Sequence, residues 1–142
     1  MRLSGAASGV ASAASAIGGE SLPDSDMFWA GLRDLSATEF HEEGRWLWRL
    51  SVAPTTPVNA VDAFCFDWAG GQRWVMTDPD DDSPFDIASK CGGHAICFAQ
   101  NRSEGTGMQP LAPGILSLNQ RIKDAMDPHG LINRGRLLGG TH

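Results

Sequence analysis

The run Arg45-Trp46-Leu47-Trp48-Arg49-Leu50-Ser51-Val52 constrains the fold more than any other stretch of the chain. Trp46, Trp48, Leu50 and Val52 share one parity, and Arg45, Leu47, Arg49 and Ser51 the other. Side chains alternate faces along a strand, so this period of two predicts a β-strand with one strongly apolar face. Pro54 and Pro57 end it, because proline brings no N–H to a ladder.

A hairpin is predicted next, from Val61–Trp68 into Arg73–Met76 around Ala69-Gly70-Gly71-Gln72. The two glycines are expected to supply the positive φ angles of a tight turn. Gly93–Phe98 reads as a last strand, and Arg2–Gly5 as a short first one running into a turn. Four helices are predicted. Ala6–Ile17 is built of small residues suited to close packing on a sheet, and Gly18-Gly19 ends it. Asp24–Leu35 carries Phe28, Leu32 and Leu35 at helical spacing, with Ser25 or Asp26 as cap. Phe85–Lys90 is short. Pro113–Met126 places Ile115, Leu118, Ile122 and Met126 on one stripe, and Pro128 helps end it. Asp78–Asp82 reads as an acidic loop, Asn101–Gly107 as a polar one and Leu131–Leu137 as an irregular tail. No exact internal repeat occurs. This order of elements predicts an α+β fold, an antiparallel sheet with helices packed on one face.

A chain of 142 residues fits one domain and can bury a core without staples. Its formal charge is −6 and its pI near 5.0. Phosphate binding needs a basic face, so nucleic acid and anionic membrane surfaces are disfavoured as partners. No apolar run approaches the roughly 18 residues of a membrane span. The Ala- and Ser-rich start has no solid apolar centre and only Arg2 as an early cation, so it is read as structure rather than as an address. Cys65, Cys91 and Cys97 are an odd set in a chain that needs no disulfides, which points to a reducing cytoplasm.

The stretch Leu118-Asn119-Gln120-Arg121-Ile122-Lys123-Asp124-Ala125-Met126-Asp127-Pro128-His129-Gly130-Leu131-Ile132-Asn133-Arg134-Gly135-Arg136-Leu137 resembles the C-terminal signature of FAD-linked oxidases of the vanillyl-alcohol oxidase type. That signature is a helix, Asp-Pro, a loop, Gly, two apolar residues and Asn-Pro-Gly-Lys/Arg. Phe28–Asp34, Leu47–Val52, Asp67–Trp74 and Gly92-Gly93-His94-Ala95 narrow the resemblance to the E subunit of bacterial glycolate oxidase. It runs from about Arg2 to Leu137. The resemblance implies a ferredoxin-like cap domain over residues 1–142, with the N-terminal FAD-binding domain lying outside them. It implies FAD as cofactor and a small 2-hydroxy acid, glycolate, as substrate. It also implies a second flavin subunit and an iron–sulfur subunit as partners. The place would be the cytoplasm, with any hold on the inner membrane made through those subunits. One position departs from the pattern: Arg134 stands where the signature has proline, which removes a fixed φ and restores a backbone donor.

Under the resemblance, Asn133 and Arg136 are the cofactor-side candidates. The Asn133 amide donates and accepts at once, and so meets either the flavin edge or the needs of a turn. Arg136 and Arg73 carry guanidinium groups suited to a bidentate grip on a substrate carboxylate. A surface arginine paired with an acidic neighbour is the other reading, and the favoured one for Arg73. His94 is the catalytic candidate, as the base for the substrate hydroxyl while hydride leaves to the flavin. The alternative is a strand histidine partly buried in the sheet. Related catalytic subunits continue their Gly-His motif through Asp-Gly-Asn to another His, and here Ala95-Ile96-Cys97-Phe98 follows instead.

Cys91, His94 and Cys97 have a zinc-like spacing, but a fourth ligand is missing nearby and strand positions three apart face opposite ways. Asp78, Asp80, Asp81 and Asp82 lack the Gly and Glu of a calcium loop. Trp46, Trp48, Trp68 and Trp74 are expected in the sheet core or at a domain interface. Two functional classes remain in view. One is the cap part of the oxidase, inactive as an isolated chain. The other is a docking module that keeps the cap fold without catalysis.

Overall fold

A computed structural model describes residues 2–98 and 107–134. The chain divides into two compact units, Met1–Ala37 and Thr38–His142.

The first unit holds helices α1 (Ala7–Ile17) and α2 (Ser25–Arg33). Arg2–Gly5 forms no strand. Gly18 ends α1 at φ 74°, where only glycine is unstrained, and its N–H reaches the Ala14 carbonyl. No residue of α1 or α2 is buried, so the small side chains of α1 do not serve as a packed surface within this unit. The cap of α2 also differs from expectation. Asp24, in the left-handed region, offers its backbone carbonyl to Met27 and Phe28, and no side chain caps the helix.

The second unit is an antiparallel sheet of four strands in the order β2-β3-β1-β4. They are β1 (Trp46–Ser51), β2 (Cys65–Asp67), β3 (Gln72–Thr77) and β4 (His94–Cys97). Strand β1 pairs with β3 from Trp46↔Thr77 to Ser51↔Gln72, and with β4 from Trp48↔Cys97 to Ser51↔His94. Strands β3 and β4 therefore run the same way with β1 between them. The link that joins them carries helix α3 (Ser83–Lys90), a split β-α-β crossover. Strands β1 and β2 stand in the same relation around β3. Their link has only the 3₁₀ turn Val58–Ala60 where a helix would sit. The fold is α+β. Among the described residues of this unit, α3 packs its apolar side chains on the core face, and helix α4 (Pro113–Met126) has no buried residue.

The core follows the parity read from β1. Trp46, Trp48 and Leu50 meet Ala95 and Cys97 of β4 and Ala88 of α3, with Phe85 and Ile87 packed around them. Pro84 fills the first turn of α3, where a missing N–H costs nothing. The tryptophans divide. Trp46 and Trp48 lie under α3, while Trp74 is buried on the opposite face against Phe40, ring centroids 5.2 Å apart. Trp68 is 76% exposed, contrary to a core role.

The hairpin is where expected, but its left-handed residues are not. Positive φ falls on Trp68, Ala69 and Gly70, at 49°, 54° and 85°, and Gly71 is right-handed. Gly71 is needed for space instead: a Cβ there would meet the Trp68 carbonyl oxygen at 3.2 Å and that of Val52 at 3.4 Å. The Asp67 carboxylate accepts the Trp68 N–H at 2.7 Å and holds the turn's entry. Strand β2 is shorter than predicted because Pro57 opens a 3₁₀ turn and Ala63 N–H bonds back to Val61.

The far edge of β4 is covered. Gly107 accepts from Cys97 N–H, Met108 bridges Ile96, and Gln109 N–H donates to Ala95. The Gln109 side chain then donates to the Phe85 carbonyl and Ser89 Oγ while accepting from Ala95 N–H, joining β4 to α3. Among the described residues no helix is long and apolar enough to cross a membrane.

Candidate functional site

The tail after α4 is a hydrogen-bonded knot centred on Asp127. Its carboxylate accepts the backbone N–H groups of Leu131 and Ile132, each at 2.9 Å. Lys123, one turn earlier, donates to the same carboxylate at 2.8 Å and to the Ile132 carbonyl at 2.9 Å. Arg134 Nε donates to the Gly130 carbonyl at 2.5 Å. Arg134 thus ties the turn through its side chain at the position where proline would have fixed φ. Gly130 and Asn133 sit at φ 60° and 48°, a region glycine and asparagine tolerate best.

The Lys123 ammonium and the two backbone donors hold the Asp127 carboxyl down to about 2, from an ordinary value of 3.8. The sign follows from linkage. The carboxylate form is favoured in the folded tail, so its contribution is complete above the ordinary value and is lost as pH falls toward about 2. Protection of the Leu131 and Ile132 amides, taken against the intrinsic exchange rate at each pH, should persist at neutral pH and be lost over that acid window. Asp127→Ala should leave both amides unprotected at every pH. Unchanged protection in that variant would remove the knot as the organiser of the tail.

Beside the knot lies an open cleft of about 390 Å³, lined by Gln120, Lys123 and Asp124 from the helix, by Asp127 at its C-cap and by His129 and Arg134 from the loop. Neither His94 nor Asn133 lines it. Asn133 is exposed in its left-handed turn. Arg136 lies outside the described residues. His94 is exposed at the start of β4, opposite Ser51, on the sheet face turned away from α3.

Arg73 matches neither expectation for it. It is 1% exposed, on the core-facing parity of β3 opposite Leu50. Its guanidinium donates to the carbonyls of Thr56, Pro57 and Gly70, and it stacks over Phe66 at 5.3 Å. It is a buried staple that fastens the β1–β2 link to the hairpin, and it has no free fork for a ligand. Arg49 is the arginine that sequence reasoning passed over. It lies on the face away from α3, between Trp74 and Ile96 in register, with its guanidinium 5.5 Å from the Phe98 ring centre. The alternation of β1 already put it on that face.

The cysteines are free thiols. Burial, with the nearby charges of Asp67 and Glu39, raises the Cys65 thiol and makes it a poor nucleophile. His94 is exposed and Cys97 buried. Among the described residues no group of three or more His, Cys, Asp or Glu is placed to hold a metal ion.

The chain is similar to glycolate oxidase subunit GlcE of Escherichia coli (strain K12), 31% identical over 138 residues. The match takes in 96% of this chain and 38% of that protein, so the chain spans well under half the length of this relative. No family model matches the chain. No solved structure matches it.

Proposed function

We propose that the chain corresponds to the C-terminal, cap-type portion of a GlcE-like subunit and contributes to flavin-dependent oxidation of glycolate to glyoxylate in a multi-subunit complex. The observation that carries this reading is the likeness over nearly the whole chain. The strand order, with β1 central and its tryptophans on one face, supports a ferredoxin-like cap.

The residues present fit one end of FAD only. Asn133 offers an exposed amide beside a knotted turn, suited to the polar edge of a flavin ring, and Arg136 follows it. Among the described residues no helix opens from a Gly-rich loop that would cradle a pyrophosphate. When bound, FAD supplies the hydride acceptor. His94 is solvent-facing and free to take up the substrate hydroxyl proton on a ring nitrogen. The pyrophosphate-binding domain, a second flavin subunit and an iron–sulfur subunit complete the assembly in this reading.

The test is reconstitution. The chain alone should retain no FAD. Joined to the flavin-domain region and partner subunits, it should support glycolate-dependent dye reduction, and His94→Ala should lower kcat by roughly 10²–10⁴-fold, the usual worth of a general base. Full activity in an assembly lacking this chain would overturn the proposal. A second reading, a docking module without catalysis, is favoured by the α4 stripe, where Ile115, Leu118, Ile122 and Met126 are 52%, 49%, 48% and 80% exposed. It predicts an assembly that needs the chain but is indifferent to His94→Ala.

A further inference from the structure

We propose that the outer edge of β2 docks an extended, lysine- or arginine-bearing segment of a partner protein, which joins the sheet as a further strand. The two ends of the sheet differ in a way that points there. The edge of β4 is closed by Met108 and Gln109. Strand β2 has β3 on one side and, among the described residues, no strand on the other. Its pairing runs on to Phe64, whose N–H donates to the Trp74 carbonyl. An edge strand turns alternate N–H and C=O groups outward, ready to pair with another chain.

Lysine and proline, which commonly blunt such an edge, are absent from Phe64 to Trp68. Every second residue there is instead a large aromatic: Phe64, Phe66 and Trp68. Phe64 and Phe66 are 45% and 41% exposed, and Trp68 is more exposed than either. The link before β2 has a 3₁₀ turn in place of a helix, so Phe66 rests on the Arg73 guanidinium and stays open to solvent. Trp68 and Ala69 both hold left-handed φ angles, a conformation that strains any residue with a side chain. The turn accepts that strain and holds a tryptophan in water, the residue type most enriched at the centre of protein interfaces.

Charge selects the occupant. From Ala53 to Gln72 the sequence has no lysine, arginine or histidine, and Asp62 and Asp67 are exposed. Glu39 and Asp67 both bring negative charge up to Cys65. Arg73, beneath Phe66, is held by three backbone carbonyls. A second copy of the chain would set these carboxylates against each other, and like charges across a strand pair are destabilising. Cys65 and Asp67 lie on one face of the sheet and Phe66 on the other. An added strand that alternates cations with apolar residues therefore puts the cations beside Asp67 and Glu39 and the apolar side chains beside Phe66. The docking stands whether or not the chain serves glycolate oxidation.

The probe is a short capped peptide of alternating lysine and valine, titrated into the ¹⁵N-labelled chain. The amides of Cys65, Phe66 and Asp67 and the Trp68 indole N–H should shift in a saturable way, while the β4 amides stay still. The same peptide N-methylated along one edge keeps its side chains and loses its ladder, so it should bind roughly tenfold more weakly or worse. Glu39→Gln combined with Asp67→Asn should weaken the lysine–valine peptide roughly threefold to tenfold. Asparagine there keeps an oxygen to accept the Trp68 N–H. Trp68→Gly relieves the left-handed strain, so it should fold at least as stably and yet bind roughly tenfold to a hundredfold more weakly. Unshifted β2 amides, equal binding of the N-methylated peptide or of an alternating glutamate–valine peptide, or parent-like binding in Trp68→Gly would overturn the proposal. So would dimerisation through β2 without peptide, which would make a second copy the occupant.

Discussion

Trp48→Ala is expected to cost about 3–5 kcal/mol, the range for deleting a buried aromatic from a packed core. Trp48 is fully buried at the centre of the sheet, in register with Val75 on one side and Cys97 on the other. Its ring stands edge-on to Phe85 of α3 at 4.9 Å. Its indole N–H donates to Thr77 Oγ1 at 2.9 Å, and that hydroxyl donates in turn to the Asp78 carbonyl. Alanine removes the contact that joins α3 to β1 and leaves a void among fixed backbones. Domains of this size hold about 5–15 kcal/mol in all, so the loss is a large fraction of the whole. Trp48→Phe, which keeps a ring and drops the indole donor, should cost less than the alanine change. Urea denaturation followed by far-ultraviolet circular dichroism reads both. An alanine variant within about 1 kcal/mol of the parent would mean that Trp48 is not the keystone of this core.

Gly93→Ala is the second large effect, and it works on the backbone. A Cβ at Gly93 would lie 2.1 Å from the Ser51 carbonyl oxygen and 3.0 Å from Val52 Cγ1. No rotamer relieves a clash with a main-chain oxygen. The Gly93 N–H is also engaged, donating to the Ala88 carbonyl at 2.8 Å. The chain must back away just where Ser51 meets His94, so the end of the β1–β4 ladder should open. Overpacking of this kind costs about 1–3 kcal/mol, and the upper end is expected here. Exchange at the His94 and Ala95 amides should accelerate with it. Gly92→Ala is the control: it has open space around its Cβ and only the strain of φ 68° to bear. Equal stability losses in the two variants would refute the steric account.

The sequence made α2, α4 and the central strand legible because each carried a clean period, while α1 was read from its small residues and closing glycines. Trp46, Trp48 and Leu50 alternate without interruption, and burial follows that alternation residue by residue. What it could not show was cover. Ile115, Leu118 and Ile122 keep helical spacing whether or not a surface lies beneath them, and among the described residues none covers them. Arg73 was misjudged because charge argued for the surface. Its parity with Val75 and Thr77 argued for the inside, and three backbone carbonyls made burial tolerable. The glycine pair marked the hairpin, but the left-handed residues begin at Trp68, held by the Asp67 side chain, a contact that composition does not reveal. The candidates His94 and Asn133 rest on family likeness alone, and neither lines the cleft beside α4.

The strand order has a consequence for how the chain comes into being. Strand β1 is made first, yet neither of its partners is its neighbour in sequence: β3 follows only after β2, and β4 only after α3. Contacts between distant segments form late, because the intervening loop must be closed before they return anything. During synthesis, Trp46, Trp48 and Leu50 therefore wait unpaired until the β2–β3 hairpin and then His94–Cys97 have left the ribosome. The hairpin can form locally, and its strained Trp68 turn sets the register that β1 then reads. The nascent chain is thus most prone to aggregation in the interval before β4 emerges.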